Sequence, residues 1–237
     1  MSTVTLALVA MVVLIAAWLQ GSVGFGLGMI LAPVLALAAP SLLPVTVLLL
    51  ALVLSGFSAV ADRHGVHLRS LAIGIGGRVP GTVLGAWLVA RLPQREFALL
   101  VAVSVLLGAF FAWRGWQPRN RTRNVLAAGL LSGVMGTATS VGGPPMALVW
   151  GASEAQRMRG TLSAFFFIGS LLSLAGLFVF DAVDPQQIRA AVLFAPAMLL
   201  GFGLARVTVR HLDQQRTRSI ATAASLIGAL TVLVTRL

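Results

Sequence analysis

The residues of this chain that could do chemistry are few, and most are polar groups set in strongly apolar sequence. Leu131–Trp150 reads LSGVMGTATSVGGPPMALVW. Its hydroxyls, on Ser132, Thr137, Thr139 and Ser140, stand at a depth where lipid offers no hydrogen-bond partner. Gly133, Gly136, Gly142 and Gly143 loosen its backbone, and Pro144 and Pro145 cannot continue a helix begun before them, because proline lacks the N–H and clashes with the preceding turn. Gln20–Pro33, QGSVGFGLGMILAP, has the same character. Gly21 and Gly133, Gly24 and Gly136, and Pro33 and Pro145 are each 112 residues apart. Arg78 is the one arginine that no expected loop contains. Hydroxyls, helix N-termini and a guanidinium all donate hydrogen bonds, so together they suit an anion.

These residues make the candidate substrate-binding set. Gln20, Gly21, Ser22, Gly24, Phe25 and Gly26 come from the first break. Ser132, Gly133, Gly136, Thr137, Thr139, Ser140, Gly142, Gly143 and Pro144 come from the second, and Arg78 stands between them. Two blander readings compete. Glycines also let membrane helices pack closely, and an arginine near a helix end can snorkel to the interface. All six acidic residues, Asp62, Glu96, Glu154, Asp181, Asp184 and Asp213, fall in expected loops. No buried carboxylate is therefore expected to relay protons, and no catalytic residue, cofactor or metal site is expected.

Composition sets the class. The 237 residues are 58% hydrophobic and 10% charged, with a mean hydropathy of +0.98. Several stretches approach the ~20 apolar residues that a spanning helix needs. The chain reads as an all-α polytopic membrane protein. Val4–Leu19 lacks a basic leader and a small-residue cleavage site, so it reads as a mature segment rather than a signal peptide. There is no cysteine, which removes thiolate and disulfide chemistry. All 17 basic residues are arginines, and all but Arg78 lie between the apolar runs. They read as membrane anchors, not as a nucleic-acid surface.

The elements that must position these residues follow in order. Val4–Leu19 and Met29–Ala39 are limbs around the first break. Val45–Ala61, Ser70–Ala90 and Phe97–Trp113 are spans. The hydrophilic Arg114–Arg123 links two halves, residues 1–116 and 117–237. Val125–Val134 and Met146–Trp150 are the second pair of limbs, followed by spans Gly160–Phe180, Ala190–Ala205 and Ser219–Val234. Gly77, Gly81 and Gly85 form a small-residue ridge beside Arg78. Phe194 stands in the second half where Arg78 stands in the first. The glycine run Gly24–Gly28 lacks the strand and acidic residue of a dinucleotide site. Asp62, His64 and His67 read as a solvated loop, and the tryptophans as an interfacial belt.

Arginine counts address topology. If each broken segment crosses once, alternate loops hold eight arginines against eight. If each is a hairpin that returns to its own side, the counts become twelve against four. The positive-inside rule favours the second arrangement. It makes two inverted repeats, each a Gly/Pro-broken helical hairpin plus three spanning helices, with both termini outside. Paired broken helices at matching places are the sequence signature of a secondary-transporter binding site.

These residues resemble the sulfite exporter TauE/SafE family of membrane permeases. The likeness covers nearly the whole chain. It rests on Gln20–Pro33, on Ser132–Trp150 with its Gly-Gly-Pro-Pro, and on Arg157–Phe167 (RMRGTLSAFFF). The chain has Gly24-Phe25-Gly26 in place of the triple glycine of many members. The resemblance implies transport of sulfite or organosulfonates across a bacterial inner membrane. The partners expected are a small anion and the lipid bilayer, with a homodimer left open and no nucleic acid. An anion channel and a carrier for non-sulfur organic anions stay open as alternatives. A membrane-embedded enzyme is disfavoured, for want of a nucleophile or metal-binding group within the spans.

Overall fold

The computed structural model describes residues 3–113, 118–151 and 153–208, and regular structure among them is helical. The helices are α1 (Thr3–Val23), α2 (Leu27–Ala38), α3 (Val45–Ala61), α4 (Leu68–Arg91), α5 (Gln94–Trp113), α6 (Thr122–Thr139), α7 (Gly143–Trp150), α8 (Ala155–Val179) and α9 (Pro185–Thr208). Among the described residues α1, α4, α8 and α9 are long and apolar enough to cross a membrane. A 24-residue helix rises about 36 Å, against a hydrocarbon core of about 30 Å. Helix is the form expected there, because lipid cannot satisfy a free backbone group. The expected last span, Ser219–Val234, lies outside the described residues, as do Arg114 and Trp116.

The breaks fall at narrower places than expected. Gly24 and Gly26 take φ of 94° and 135°, and Ser140 takes φ of 60° and ends α6. Only glycine adopts the first two without strain. Gly21, Gly133 and Gly136 are helical instead, because they serve as contact points between helices. Pro144 and Pro145 open α7 in its first turn, where a missing N–H leaves nothing unpaired. Pro33 lies inside α2 rather than at the break. At the other helix ends, α8 begins upstream of Gly160, and Arg189 and Arg206 are helical.

After each break the chain turns back. Ser132 Oγ donates to the Gly142 carbonyl at 2.6 Å, although a continuous helix would hold residues ten apart about 15 Å from one another. The second hairpin starts and finishes beside the first turn of α4: Ser70 Oγ donates to Asn120 Oδ1 at 3.4 Å, and Trp150 Nε1 donates to Ser70 Oγ at 3.0 Å. Trp150 is therefore buried rather than at an interface. The first hairpin exits beside the first turn of α9, where Gln187 Nε2 donates to the Ser41 and Leu43 carbonyls at 2.9 and 2.6 Å. The hairpins thus enter from opposite ends of the bundle, and they meet. A Cβ on Gly28 would overlap the Ser140 carbonyl, and one on Gly143 would meet the Phe25 ring at 3.0 Å.

α4 and α6 make the closest helix pair. A Cβ added to Gly77 or Gly81 would overlap the Leu126 or Leu130 carbonyl, and one on Gly129 or Gly133 would overlap the Gly74 or Arg78 carbonyl. α1 and α9 pack in the same parallel sense through Gly21, Gly201 and Ala205. α3 and α8 lie between these pairs and run antiparallel. Val45 and Leu48 at the start of α3 pack with Leu177 at the end of α8 and with Ala86.

The glycine seam predicts a contrast between two substitutions on α4. Gly81→Ala sets a methyl against backbone and should destabilise the fold by about 1–3 kcal/mol, the usual cost of overpacking. Gly76→Ala would meet only a Leu126 methyl at 4.0 Å and should hold stability or raise it by up to about 1 kcal/mol, the helix preference of Ala over Gly. Unfolding titrations in detergent check the pair; equal stabilities would show that the seam tolerates bulk.

Candidate anion site between the two broken helices

Arg78 sits near the middle of α4 and is 2% exposed. Its flanking glycines, Gly77 and Gly81, bring the α6 backbone close, and that approach places Ser132 beside the guanidinium. Nη1 donates to Ser132 Oγ at 3.1 Å, and Nη2 lies 3.5 Å from Ser173 Oγ. Ser173 Oγ is 2.8 Å from Thr137 Oγ1. The guanidinium carbon stands 4.9 Å from the centre of the Phe165 ring, a cation–π distance. Room comes from two further glycines: a Cβ on Gly136 would meet Nη2 at 3.0 Å, and one on Gly169 would overlap Nε.

Nε has no hydrogen-bond partner among the described residues. Among the described residues the ion pairs are made by Asp62, and none reaches Arg78. An interior charge is costly unless it is paired and hydrogen-bonded. Hydroxyls and a ring supply part of that compensation, and an anion would supply the rest. The guanidinium points inward from mid-helix, so snorkelling does not account for it.

The guanidinium lines a cleft with a cavity volume of about 40 Å³. That is room for about three water-sized centres. Gly26 and Gly28 at the start of α2, and Gly142 and Gly143 at the start of α7, line the same cleft. Two helix N-termini therefore flank it, with positive dipole ends and the backbone amides of their first turns, except at Pro144 and Pro145. One of those amides is taken, because Leu27 N donates to Gln20 Oε1 at 3.1 Å.

The structure brings Gln20, Phe25, Gly26, Arg78, Gly136, Ser140, Gly142 and Gly143 to this cleft. Ser132 and Thr137 stand behind it, tied to Arg78 directly and through Ser173. The other candidates lie elsewhere. Gly21 packs on Ala205 and Phe202, Gly133 packs on the α4 backbone, and Gly24 abuts Arg159. Ser22 and Thr139 turn their hydroxyls back to the Trp18 and Met135 carbonyls, at 2.8 and 2.7 Å. Pro144 faces a separate apolar groove between α5, α6 and α7. Helical phase explains these departures: a site on one side of a hairpin cannot use every residue of its limbs.

Sequence reasoning missed Leu48 and Ala51 of α3, and Phe166 and Ser170 of α8. It also missed Phe165, Gly169 and Ser173, which hold Arg78. Ser163, Ser170 and Ser173 recur at helical spacing inside an apolar span, a signal that could have found them. Asp62 is a further correction. It ends α3 but is 5% exposed, paired with Arg159 and Arg206.

Gly169→Ala tests the cradle. The new methyl would strike the flexible end of Arg78 rather than backbone, so the guanidinium should shift while the fold holds. Anion binding should weaken about tenfold or more, with thermal stability within a few degrees of the parent. Isothermal titration and melting curves on one preparation check both; parental affinity would remove Gly169 from the site.

The family model for the sulfite exporter TauE/SafE matches residues 9–232. No curated protein and no solved structure matches the chain. The match takes in both broken helices, Arg78 and the arginine-rich start of α8. It makes the protein a multi-pass membrane transporter for sulfur anions, a class in which the protein moves its substrate rather than transforming it. The chain belongs to the sulfite exporter TauE/SafE family.

Proposed function

We propose that this protein is a secondary carrier that exports sulfite, or a small organosulfonate, through the cleft at Arg78. The observation that carries the reading is the buried guanidinium, which faces the meeting point of two broken helices and has no carboxylate partner among the described residues. An anion bound there offsets the charge, accepts from Nε, and faces the amides of α2 and α7. Arginine can hold an oxyanion through two parallel hydrogen bonds. The small cavity supports sulfite over longer sulfonates.

The two halves act in this reading as inverted repeats that alternate access to one central site. The opposed hairpins support it, as does the contact of Gly28 with Ser140, positions that stand 112 residues apart like the other repeat pairs. Among the described residues the end shared by the first turn of α4, the end of α3 and the start of α8 carries Arg63, Arg69, Arg119, Arg121, Arg123, Arg157, Arg159 and Arg206. The opposite end carries Arg91, Arg95 and Arg189. The positive-inside rule puts the arginine-rich end in the cytoplasm of a bacterial inner-membrane protein, with both termini outside. An interior 100 mV negative then expels a monovalent anion with about 2.3 kcal/mol, so export needs no coupling ion.

The test is uptake of sulfite, sulfate, taurine, sulfoacetate and carboxylates into proteoliposomes, with and without an imposed potential. Sulfite should move fastest and respond to the potential. Arg78→Lys should keep part of the rate per folded protein. Arg78→Gln should lose at least about tenfold, since a hydrogen bond to a charged group contributes about 1.5–3 kcal/mol. A parental rate in Arg78→Gln would give the anion to the hairpin amides alone. Topology has its own check: reporters inserted at Arg119 and at Asp184 should report opposite sides, with Arg119 cytoplasmic, and same-side signals would overturn the orientation.

A further inference from the structure

We propose that Arg159 and Arg206 form a second oxyanion site at the arginine-rich end, and that Asp62 occupies it as a tethered stand-in for the ligand. The Asp62 carboxylate is shared by two cations. Oδ2 lies 3.7 Å from Arg159 Nε, and Oδ1 lies 3.4 Å from Arg206 Nη1. One negative charge faces two positive ones, so the cluster stays cationic. These contacts are longer than the 2.7–2.9 Å of a tight charge-assisted hydrogen bond, and Arg159 Nε is buried with no hydrogen-bond partner among the described residues. A free oxyanion, with three or more oxygens, would satisfy donors that a single carboxylate leaves idle.

The position suits an entry point. Gly24, at the tip of the first hairpin, abuts the Arg159 backbone. From Arg159, Ser163, Phe166, Ser170 and Ser173 follow at spacings of four, three, four and three residues, which is one face of α8. Phe166 and Ser170 line the central cleft, and Ser173 contacts Arg78. A hydroxyl-bearing face therefore joins the two cationic sites. At the far end of α8, Leu177 packs against the apolar Val45, Leu48 and Ala86. The anion would displace Asp62 from the two arginines and pass along α8 to Arg78. The proposal rests on the reading of Arg78 only for where this path leads.

The test isolates the second site by working in Arg78→Gln protein, full length, in nanodiscs of neutral phosphatidylcholine, with sulfite titrated anaerobically. Adding Asp62→Asn should tighten sulfite binding at least about tenfold, and adding Arg159→Gln should abolish that gain. No gain from Asp62→Asn in folded protein overturns the proposal. A gain for phosphatidylglycerol but not for sulfite also overturns it, because the arginines would then hold a lipid headgroup. If Asp62→Asn does not fold, Arg206→Gln in the otherwise natural chain decides. It should raise the KM for sulfite presented at that end at least about threefold, with a smaller change in kcat, and an unchanged KM overturns the proposal. Parental affinity in Arg78→Gln alone would remove the central site, while the difference made by Asp62→Asn still judges the arginine pair.

Discussion

A buried guanidinium halfway along a spanning helix must be solvated by something, and here neutral dipoles and a ring share the task. Ser132, Ser173 and Phe165 surround Arg78, and each arrives on a helix that something else has brought near. Ser132 is in reach because the α4 and α6 backbones touch through Gly77, Gly81, Gly129 and Gly133. Phe165 and Ser173 are in reach because α8 offers Gly169 instead of a side chain at the level of the guanidinium. The arginine is thus a consequence of the glycine seam as much as of its own position. Bulk at the seam would part the helices, and the charge would lose its partners together with its cleft.

The hairpins supply the other half of the arrangement. Each turns where positive φ is tolerated, and each sends the start of a short helix to the cleft. Gln20 and Ser132 stand 112 residues apart, and each bonds the opening of the helix that follows its break. The chemistry of the two halves differs. Arg78 is matched by Phe194, which is also buried. At one end of the bundle Gln187 clamps neutral carbonyls, and Thr46 Oγ1 donates back to its carbonyl at 3.0 Å. At the other end Asp62 bridges two arginines. Among the described residues, a buried charge near the middle and an ion cluster at one end make the two ends of the bundle chemically different.

Much of this was legible in the residues. Composition required membrane helices, because only helices and closed barrels satisfy the backbone in lipid, and the long unalternating apolar runs do not suit barrel strands. The repeated glycine spacing marked both breaks, and arginine counts favoured hairpins over single crossings as an expectation. Arg78 stood out because a charge inside an apolar run has few reasons to be there. These readings depend on order along one chain, and order is what a sequence displays.

What only the tertiary structure decided was lateral. Gly21 and Gly133 look like loop glycines in sequence, but they are helical contact points facing α9 and α4. Asp62 ends a span and reads as solvated, yet α8 and α9 close over it with one arginine each. Leu48 and Ala51 line the cleft without any mark that separates them from other apolar residues of α3. Which face of a helix meets which neighbour depends on the crossing and depth of both helices. No spacing along a single helix carries that information, so Arg78 could be singled out from the sequence while the placement of Ser170, Ser173 and the apolar walls around them could not.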